Sequence, residues 1–411
     1  MHRLLALVWG TALWAGCRTP APQSASGPAA SFRVRPGVDV LLSDSVQLVR
    51  GRRVGLVTNQ SGIGASGRGD VELLRDAHVN LVALFSPEHG FRGAADPGAV
   101  VTSSIDSATG LPIYSLYGRT TAPTDSMLAG VDVMLVDLQD AGARYYTYIS
   151  TTVEVMKAAT RHGIPVVVLD RPDPIGGAVQ GNVLDPAFTS FVGRLAVPMR
   201  YGMTLGELAR LADADFEIHS KLTVVPAAGW RREMTLDAAG LPFIPPSPNL
   251  RTLESLFHYP GTCLFEGTNL SVGRGSEAPF EQVGAPWLDT VAVLARIRAE
   301  RLPGVAFSSV AFTPRNPGDG KYADTLLAGI RLRVTDRGAY DPTVTAVHLL
   351  AAIRTVHPDR IRWTAKQFDR LAGGSSLRTA LEAGRPATDI VAPWPAAIRA
   401  FELRRRPFLV Y

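Results

Sequence analysis

Cysteine is scarce in this sequence, which contains only Cys17 and Cys263. Two cysteines cannot form the disulfide framework that stabilises many small secreted domains. The eight histidines are scattered, and no i, i+4 pair with a third ligand nearby predicts a metal site. A G-x-S-x-G motif is also missing, which weighs against a hydrolase that uses a serine nucleophile at a strand-to-helix turn. We therefore expect neither a metal nor any other cofactor.

Long apolar runs and concentrated charge are missing as well. The chain is 46% hydrophobic and 19% charged, so its 411 residues can bury a large core, which excludes a disordered chain. The net charge of +5 is mild, and the basic residues are dispersed apart from 404–406. This distribution gives little support to nucleic-acid binding, although it could favour an anionic substrate.

The amino terminus predicts export. Arg3 precedes an apolar run from Leu4 to Ala15, which is shorter than the roughly 20 residues needed to span a bilayer. The run ends in Ala15-Gly16-Cys17, which is similar to the cleavage site of bacterial lipoproteins. We predict a signal peptide over 1–17, a lipid anchor at Cys17, a flexible tether over 18–36, and a periplasmic or cell-envelope protein.

Four apolar segments end in polar residues, and their order predicts the fold. They cover 54–58, 81–85, 131–138 and 166–169, and segments with helical patterns alternate with them. This alternation predicts a doubly wound parallel sheet over about 37–225, within a Rossmann-like catalytic domain over 37–257 that a smaller α+β domain over 258–411 follows. Because the carboxyl ends of parallel strands lie along one edge, the polar groups that follow them should share one cleft.

Two further segments are candidates for function. Gly62, Gly64 and Gly67 match G-x-G-x-x-G, but Asn59-Gln60-Ser61 separate the first glycine from the strand, so the motif gives weak support to dinucleotide binding. Residues 259–287 are polar and rich in glycine and aromatic residues, which predicts a long functional loop.

The sequence resembles one enzyme family along nearly all of its predicted mature length. The resemblance rests on VGLVTNQSG, ALFSPEHGFRG, DVMLVDLQDAGARYYTYIST, LDRPDPIGG, SPNL, YPGTCLFEGTNLSVGRGS and PFEQVGAPW, which follow one another in the family's order. The family is that of bacterial exo-β-N-acetylmuramidases of the NamZ type. The resemblance implies a Rossmann-like domain without a nucleotide, a carboxyl-terminal domain and an active cleft between them. It also implies release of N-acetylmuramic acid from the non-reducing end of peptidoglycan fragments.

Glycoside hydrolysis normally needs two carboxyl groups. Glu88 is the first choice for the general acid, because it follows a strand and Pro87 and lies beside Phe91 in a partly apolar setting. It could instead cap a turn or pair with Arg92. For the second carboxylate Asp140 is favoured, and Glu266 is the alternative. Sequence spacing does not give their separation in space, so retaining and inverting mechanisms both remain open.

Other polar residues are candidates for substrate binding. A guanidinium suits the lactyl carboxylate of N-acetylmuramic acid, and structural salt bridges are the competing explanation. Amides suit the acetamido group and hydroxyls. A non-catalytic lipoprotein that binds cell-wall glycan in the same cleft is the rival hypothesis. The candidates for substrate binding are Asn59, Gln60, His89, Arg92, Arg144, Tyr145, Asp170, Asn269 and Arg274.

Overall fold

Seven strands form the central sheet of the protein in a computed structural model that describes His2 and residues 34–411. The predicted signal peptide, the lipid anchor at Cys17 and nearly all of the predicted tether lie outside the described residues. The strands of the amino-terminal half are β1 (Val54–Thr58), β2 (Leu81–Ser86), β3 (Ser104–Ile105), β4 (Pro112–Ser115), β5 (Val133–Asp137), β6 (Val166–Leu169), β7 (Gln180–Val183), β8 (Pro198–Arg200) and β9 (Leu222–Val225).

The sheet has the strand order β3-β4-β2-β1-β5-β6-β9, and only β3 runs antiparallel to its neighbour. Its six parallel strands have the Rossmann order, in which β1 and β5 flank the point where the chain changes direction across the sheet. β1 and β5 are buried along their whole length, as expected for strands covered on both faces. The predicted Rossmann-like parallel sheet is confirmed.

Helices cover this sheet, and their first turns show why they begin where they do. Thr204 accepts a hydrogen bond from the backbone of Glu207, whose side chain accepts one from the backbone of Thr204, so a capping box starts the helix Leu205–Asp215. The helices of this half are α1 (Gly37–Asp44), α2 (Asp70–Asp76), α3 (Asp125–Leu128), α4 (Tyr148–Arg161) and α5 (Leu205–Asp215).

The carboxyl-terminal half combines a small antiparallel sheet with seven helices. Its strands are β10 (Gln282–Ala285), β11 (Val305–Phe312) and β12 (Leu327–Val334), in the order β10-β12-β11. Its helices are α6 (Leu253–Thr262), α7 (Thr290–Ala299), α8 (Pro342–Val356), α9 (Ala365–Ala372), α10 (Ser376–Glu382), α11 (Ala387–Val391) and α12 (Trp394–Arg405). The smaller α+β part is confirmed, whereas the predicted boundary between 257 and 258, which falls inside α6, stays a prediction.

The prediction of a continuous loop over 259–287 was wrong at both of its ends, because its first residues are helical and Gln282–Ala285 form β10. Tyr259 to Thr262 complete α6, and Cys263–Gly267 form a 3₁₀ helix. A capping box between Thr252 and Ser255 starts α6, and burial of the apolar side chains along it outweighs the single backbone hydrogen bond that Pro260 cannot make. No helix in the described part of the chain is long and apolar enough to cross a membrane.

Candidate active site

A cavity of about 300 Å³ lies where the two halves of the chain meet. The amino-terminal half contributes the segments that follow β2, β4 and β5. The carboxyl-terminal half contributes the end of α6, the 3₁₀ helix, residues near 274 and 318, and one face of α9. The polar residues that line the cavity include Glu88, His89, Tyr117, Tyr145, Tyr146, Thr147, Ser247, Tyr259, Glu266, Arg274, Asp319, Gln367 and Arg370.

Glu88 is held firmly at the end of β2. Its Oε1 accepts a hydrogen bond from the backbone N–H of Gly98 at 2.9 Å, and its Oε2 accepts one from the hydroxyl of Thr147 at 2.6 Å. The residue is only 8% exposed. One donor belongs to the loop after β2 and the other to the segment after β5, so the carboxylate is fixed from two sides.

His89 adopts left-handed backbone geometry, with φ of 71°, directly after this carboxylate. Such a conformation is uncommon for a residue with a side chain and recurs at functional sites. Nδ1 lies 2.8 Å from the carbonyl oxygen of Ala95, so a neutral ring donates from Nδ1 and leaves Nε2 as an acceptor. Burial lowers the pKa of His89, and the charge of Glu88 opposes that change, so the ring is neutral near pH 7.

Glu266 enters the cavity from the 3₁₀ helix of the other half. Its Oε1 accepts a hydrogen bond from Nε of Arg274 at 2.6 Å, and the Arg274 guanidinium lies 4.9 Å from the ring centroid of Phe280. Burial disfavours the charged guanidinium, but the charge and hydrogen bond of Glu266 outweigh it and raise the pKa of Arg274. Nη1 of Arg274 is buried and has no partner among the described residues, so it can donate to a ligand.

Aromatic rings form the remaining wall. Tyr259 makes edge-to-face contacts with Tyr145, Tyr146 and Phe280. The hydroxyl of Tyr145 donates to the carbonyl of Pro260 at 2.9 Å, and that of Tyr146 donates to the carbonyl of Pro246 at 2.7 Å. Because these hydroxyls have backbone partners, the rings shape the cavity and offer apolar surface to a pyranose ring.

Two predicted carboxylates lie inside the protein and do not line this cavity. Asp140 accepts a hydrogen bond from the hydroxyl of Tyr201, and burial, reinforced by the charge of Asp173, raises the pKa of Asp140 well above its usual value. Asp170 accepts hydrogen bonds from Thr204, the backbone of Gly206 and Tyr411. Burial raises the pKa of Asp170 to about 6 despite these donors. Both side chains connect structural elements.

The two predicted arginines outside the cavity have other partners. Arg144 is buried, and it donates to the carbonyl oxygens of Asn182 at 2.7 Å and Leu371 at 2.9 Å. Arg92 has a 71% exposed side chain and pairs with Asp106 at 3.3 Å. Neither lines the cavity, so the structure does not favour either residue for binding a carboxylate there.

The predicted amides also have structural partners and lie outside the cavity lining. Asn59 donates to the hydroxyl of Tyr148 at 2.6 Å, and Gln60 donates to the carbonyl of Pro245 at 2.9 Å. Asn269 donates to the carbonyl of Arg360 at 3.0 Å. The structure therefore brings together a subset of the predicted catalytic and binding residues, namely Glu88, His89, Tyr145, Glu266 and Arg274.

Several lining residues were not singled out from the sequence. Thr147 and Tyr259 lie within motifs that carried the family resemblance, and that position could have indicated them. Tyr117 follows β4 without a motif. Gln367 and Arg370 lie on α9, where no pattern marked a site.

The glycine-rich segment after β1 is filled by the protein's own carboxylates. A Cβ at Gly62 would lie 2.3 Å from Oδ2 of Asp70, and one at Gly64 would lie 2.7 Å from Oδ1 of Asp39. A pyrophosphate at this turn would meet two carboxylates instead of free backbone N–H groups. Among the described residues, no group of three or more histidine, cysteine, aspartate or glutamate side chains could hold a metal ion.

Two family models and one relative of the same family match this chain over most of its length. Residues 54–254 match the family model of the amino-terminal domain of exo-β-N-acetylmuramidase NamZ, and residues 257–411 match that of its carboxyl-terminal domain. The chain is 42% identical over 393 residues to peptidoglycan β-N-acetylmuramidase NamZ of Bacillus subtilis (strain 168), covering 95% of this chain and 94% of that relative.

Solved structures agree with this assignment. A DUF1343 family protein from Bacteroides fragilis NCTC 9343 is 32% identical with a TM-score of 0.85, over 92% of this chain and 99% of that one. A second DUF1343 family protein from the same strain is 30% identical with a TM-score of 0.75, at the same coverage. The chain therefore belongs to the NamZ family of exo-β-N-acetylmuramidases.

Proposed function

We propose that this protein is an exo-acting glycoside hydrolase that releases N-acetylmuramic acid from the non-reducing end of peptidoglycan fragments. The observation that carries the proposal is the cavity in which Glu88 and Glu266, one from each half of the chain, lie among tyrosine rings. Glycoside hydrolysis needs two carboxyl groups, and the chain belongs to a family of hydrolases, so catalysis is favoured over a site that only binds glycan.

In this proposal the two carboxylates have separate roles. Glu88, oriented by Thr147 and Gly98, protonates the oxygen of the leaving group as the general acid. Glu266, fixed by Arg274, is the second carboxylate. We prefer Glu266 to Asp140, which the sequence favoured, because Glu266 lines the cavity and Asp140 is bonded to Tyr201 inside the protein. His89 and Tyr145 contact the sugar.

Release of free N-acetylmuramic acid tests the proposal. The substrates are 4-nitrophenyl β-N-acetylmuraminide and the muramyl-glucosamine disaccharide, and the variants are Glu88→Gln and Glu266→Gln. We expect Glu88→Gln to lose about a hundredfold or more in kcat on the disaccharide, the contribution of a general acid, while KM changes little. The nitrophenolate leaving group needs less protonation, so the loss should be smaller on that substrate.

A surface carboxylate provides the matched control. Glu72→Gln removes an exposed carboxylate on α2 far from the cavity lining, and its activity should equal that of the wild type. If the wild type binds both saccharides and releases nothing from either, the glycan-binding alternative replaces the enzyme.

We also propose that the protein is exported and anchored to a membrane through Cys17. The support is the sequence of Arg3, the apolar run that follows it and Ala15-Gly16-Cys17. Mass spectrometry of the protein from its native host should find a diacylglyceryl group on Cys17, and Cys17→Ala should remove the protein from the membrane fraction. A Cys17 that carries no lipid would contradict the anchor.

A further inference from the structure

The cavity holds more carboxylates than free cations. Glu88, Glu266 and Asp319 line it, and they are balanced in part by Arg274 and Arg370. An N-acetylmuramic acid residue with a free lactyl group would bring one more negative charge. This substrate therefore needs a cation that no protein carboxylate has already neutralised.

Arg274 does not provide such a cation. Its Nε is bonded to Glu266 at 2.6 Å, and the pair is mostly buried, so its positive charge is matched by a carboxylate at contact distance. Nη1 of Arg274 can donate to a ligand without breaking this pair, but the pair as a whole carries no net charge, so it attracts an anion less than an unpaired guanidinium does.

Arg370 is in the opposite situation. It lies on α9, is exposed and lines the cavity, and no hydrogen bond or ion pair joins its guanidinium to another residue in the described part of the chain. Gln367 and Leu371 line the cavity from the same helix. Their spacing places all three on one helical face, and that face of α9 lies against the cavity.

The phenol of Tyr117 lies close enough to the guanidinium of Arg370 for the two groups to interact electrostatically. Burial raises the pKa of Tyr117, the charge of Glu88 adds to the rise, and the charge of Arg370 opposes it. Tyr117 therefore lies within electrostatic range of both residues. In the substrate, C3 carries the lactyl group two ring atoms away from the scissile bond at C1, so a cation near Glu88 but not bonded to it suits the lactyl carboxylate.

We propose that Arg370 is a specificity-determining residue that binds the lactyl carboxylate of N-acetylmuramic acid and so selects it over N-acetylglucosamine. This inference rests on the proposed function for its substrate. A guanidinium presents paired N–H groups that match a carboxylate, and such charge-assisted bonds are stronger than neutral ones. Because Arg370 has no structural partner, its orientation is free to follow the ligand.

The test compares substrates that differ only in the lactyl group. Arg370→Met keeps an unbranched, flexible side chain and removes the guanidinium with its charge. It should reduce kcat/KM for 4-nitrophenyl β-N-acetylmuraminide about 10- to 100-fold, mainly through KM, and should have little effect on the neutral lactyl methyl ester. Arg370→Lys should restore part of the lost activity. Lys366→Met, on the same helix and outside the cavity lining, removes an exposed charge as the matched control.

Calorimetric binding of free N-acetylmuramic acid separates this inference from the proposed function. If the wild type binds the acid more tightly than N-acetylglucosamine and Arg370→Met removes that preference, the inference holds even for a protein without turnover. Suppose that the wild type cleaves the muraminide and that Arg370→Met prefers the free acid over the lactyl methyl ester as strongly as the wild type does. Arg370 then does not bind the lactyl carboxylate, and the proposed function is unaffected. Equal binding of both free sugars by the wild type would also overturn the inference.

Discussion

The two halves of the chain each deliver a glutamate to the same cavity, but they hold it by different means. Glu88 receives hydrogen bonds from neutral donors, a backbone N–H and a threonine hydroxyl, at the end of a regular parallel strand. Glu266 receives its hydrogen bond from a guanidinium and lies on a short 3₁₀ helix. One fold thus places two identical side chains in two electrostatic environments, which is how paired carboxylates acquire separate roles.

Removing Arg274, the cation that is bonded to Glu266, should have the largest effect on stability and turnover. Arg274→Met leaves Glu266 in the cavity without its charged partner, and we expect a loss of about 3 kcal/mol or more in the free energy of unfolding together with a large fall in kcat. Urea denaturation and disaccharide turnover measure the two effects. The double variant Arg274→Met/Glu266→Gln should recover most of the stability and none of the activity. A single variant as stable as the wild type would contradict the importance of the pair.

Two carboxylates buried in the amino-terminal half should make the stability of the protein depend on pH. Burial raises the pKa of Asp170 to about 6 and that of Asp173 to about 7, whereas an unfolded chain titrates near 3.9. Between these values the folded protein holds protons that the unfolded chain has released, so the free energy of unfolding falls as pH rises. We expect Asp170 alone to account for a decrease of about 2 kcal/mol between pH ~4 and pH ~8.

Asp170→Asn serves as the control for this titration, because its side chain cannot release a proton. Its free energy of unfolding, from urea denaturation across the same pH range, should fall less steeply than that of the wild type. Parallel curves for the two proteins would show that Asp170 does not titrate in this range.

The smallest predicted effect concerns the neutral donors to Glu88. Thr147→Val keeps the shape of the side chain and removes the hydroxyl, so Glu88 loses one of its two oriented hydrogen bonds. We expect kcat to fall about 10-fold, equivalent to about 1.4 kcal/mol, with KM nearly unchanged. Thr147→Ser should restore the rate. An unchanged kcat in Thr147→Val would mean that Thr147 does not position the carboxylate.

Comparison of the halves also shows what the sequence could predict. Strand and helix patterns place Glu88 at a strand end, because apolar strands and the residues that stop them are local features. The same logic favoured Asp140, yet its side chain turns inward to Tyr201, a residue beside β8 that no local pattern connects to it. Residues 259–267 read as a loop because Pro and Gly dominate local propensity, whereas burial of α6 decides the structure.

Elsewhere in the site, contacts between residues far apart in the sequence decided which side chains line the cavity, and local patterns could not predict them. Arg370 lies on a short helix near the end of the chain, and only the folded arrangement places it on the same cavity as Glu88. Gln60 and Asn59 follow β1 at the predicted sheet edge, but neighbouring carbonyl and hydroxyl groups use their hydrogen bonds. Position at a strand end therefore predicts the neighbourhood of a side chain better than its direction.

The hydrogen bond between Gly98 and Glu88 joins the wall of the cavity to the carboxylate that we propose as the general acid. Gly98 and Pro97 belong to the loop that forms part of the cavity wall, and the N–H of Gly98 fixes one oxygen of the carboxylate. The same backbone N–H therefore belongs to the wall of the cavity and sets the direction of the carboxylate, so the shape of the wall and the aim of Glu88 are fixed together.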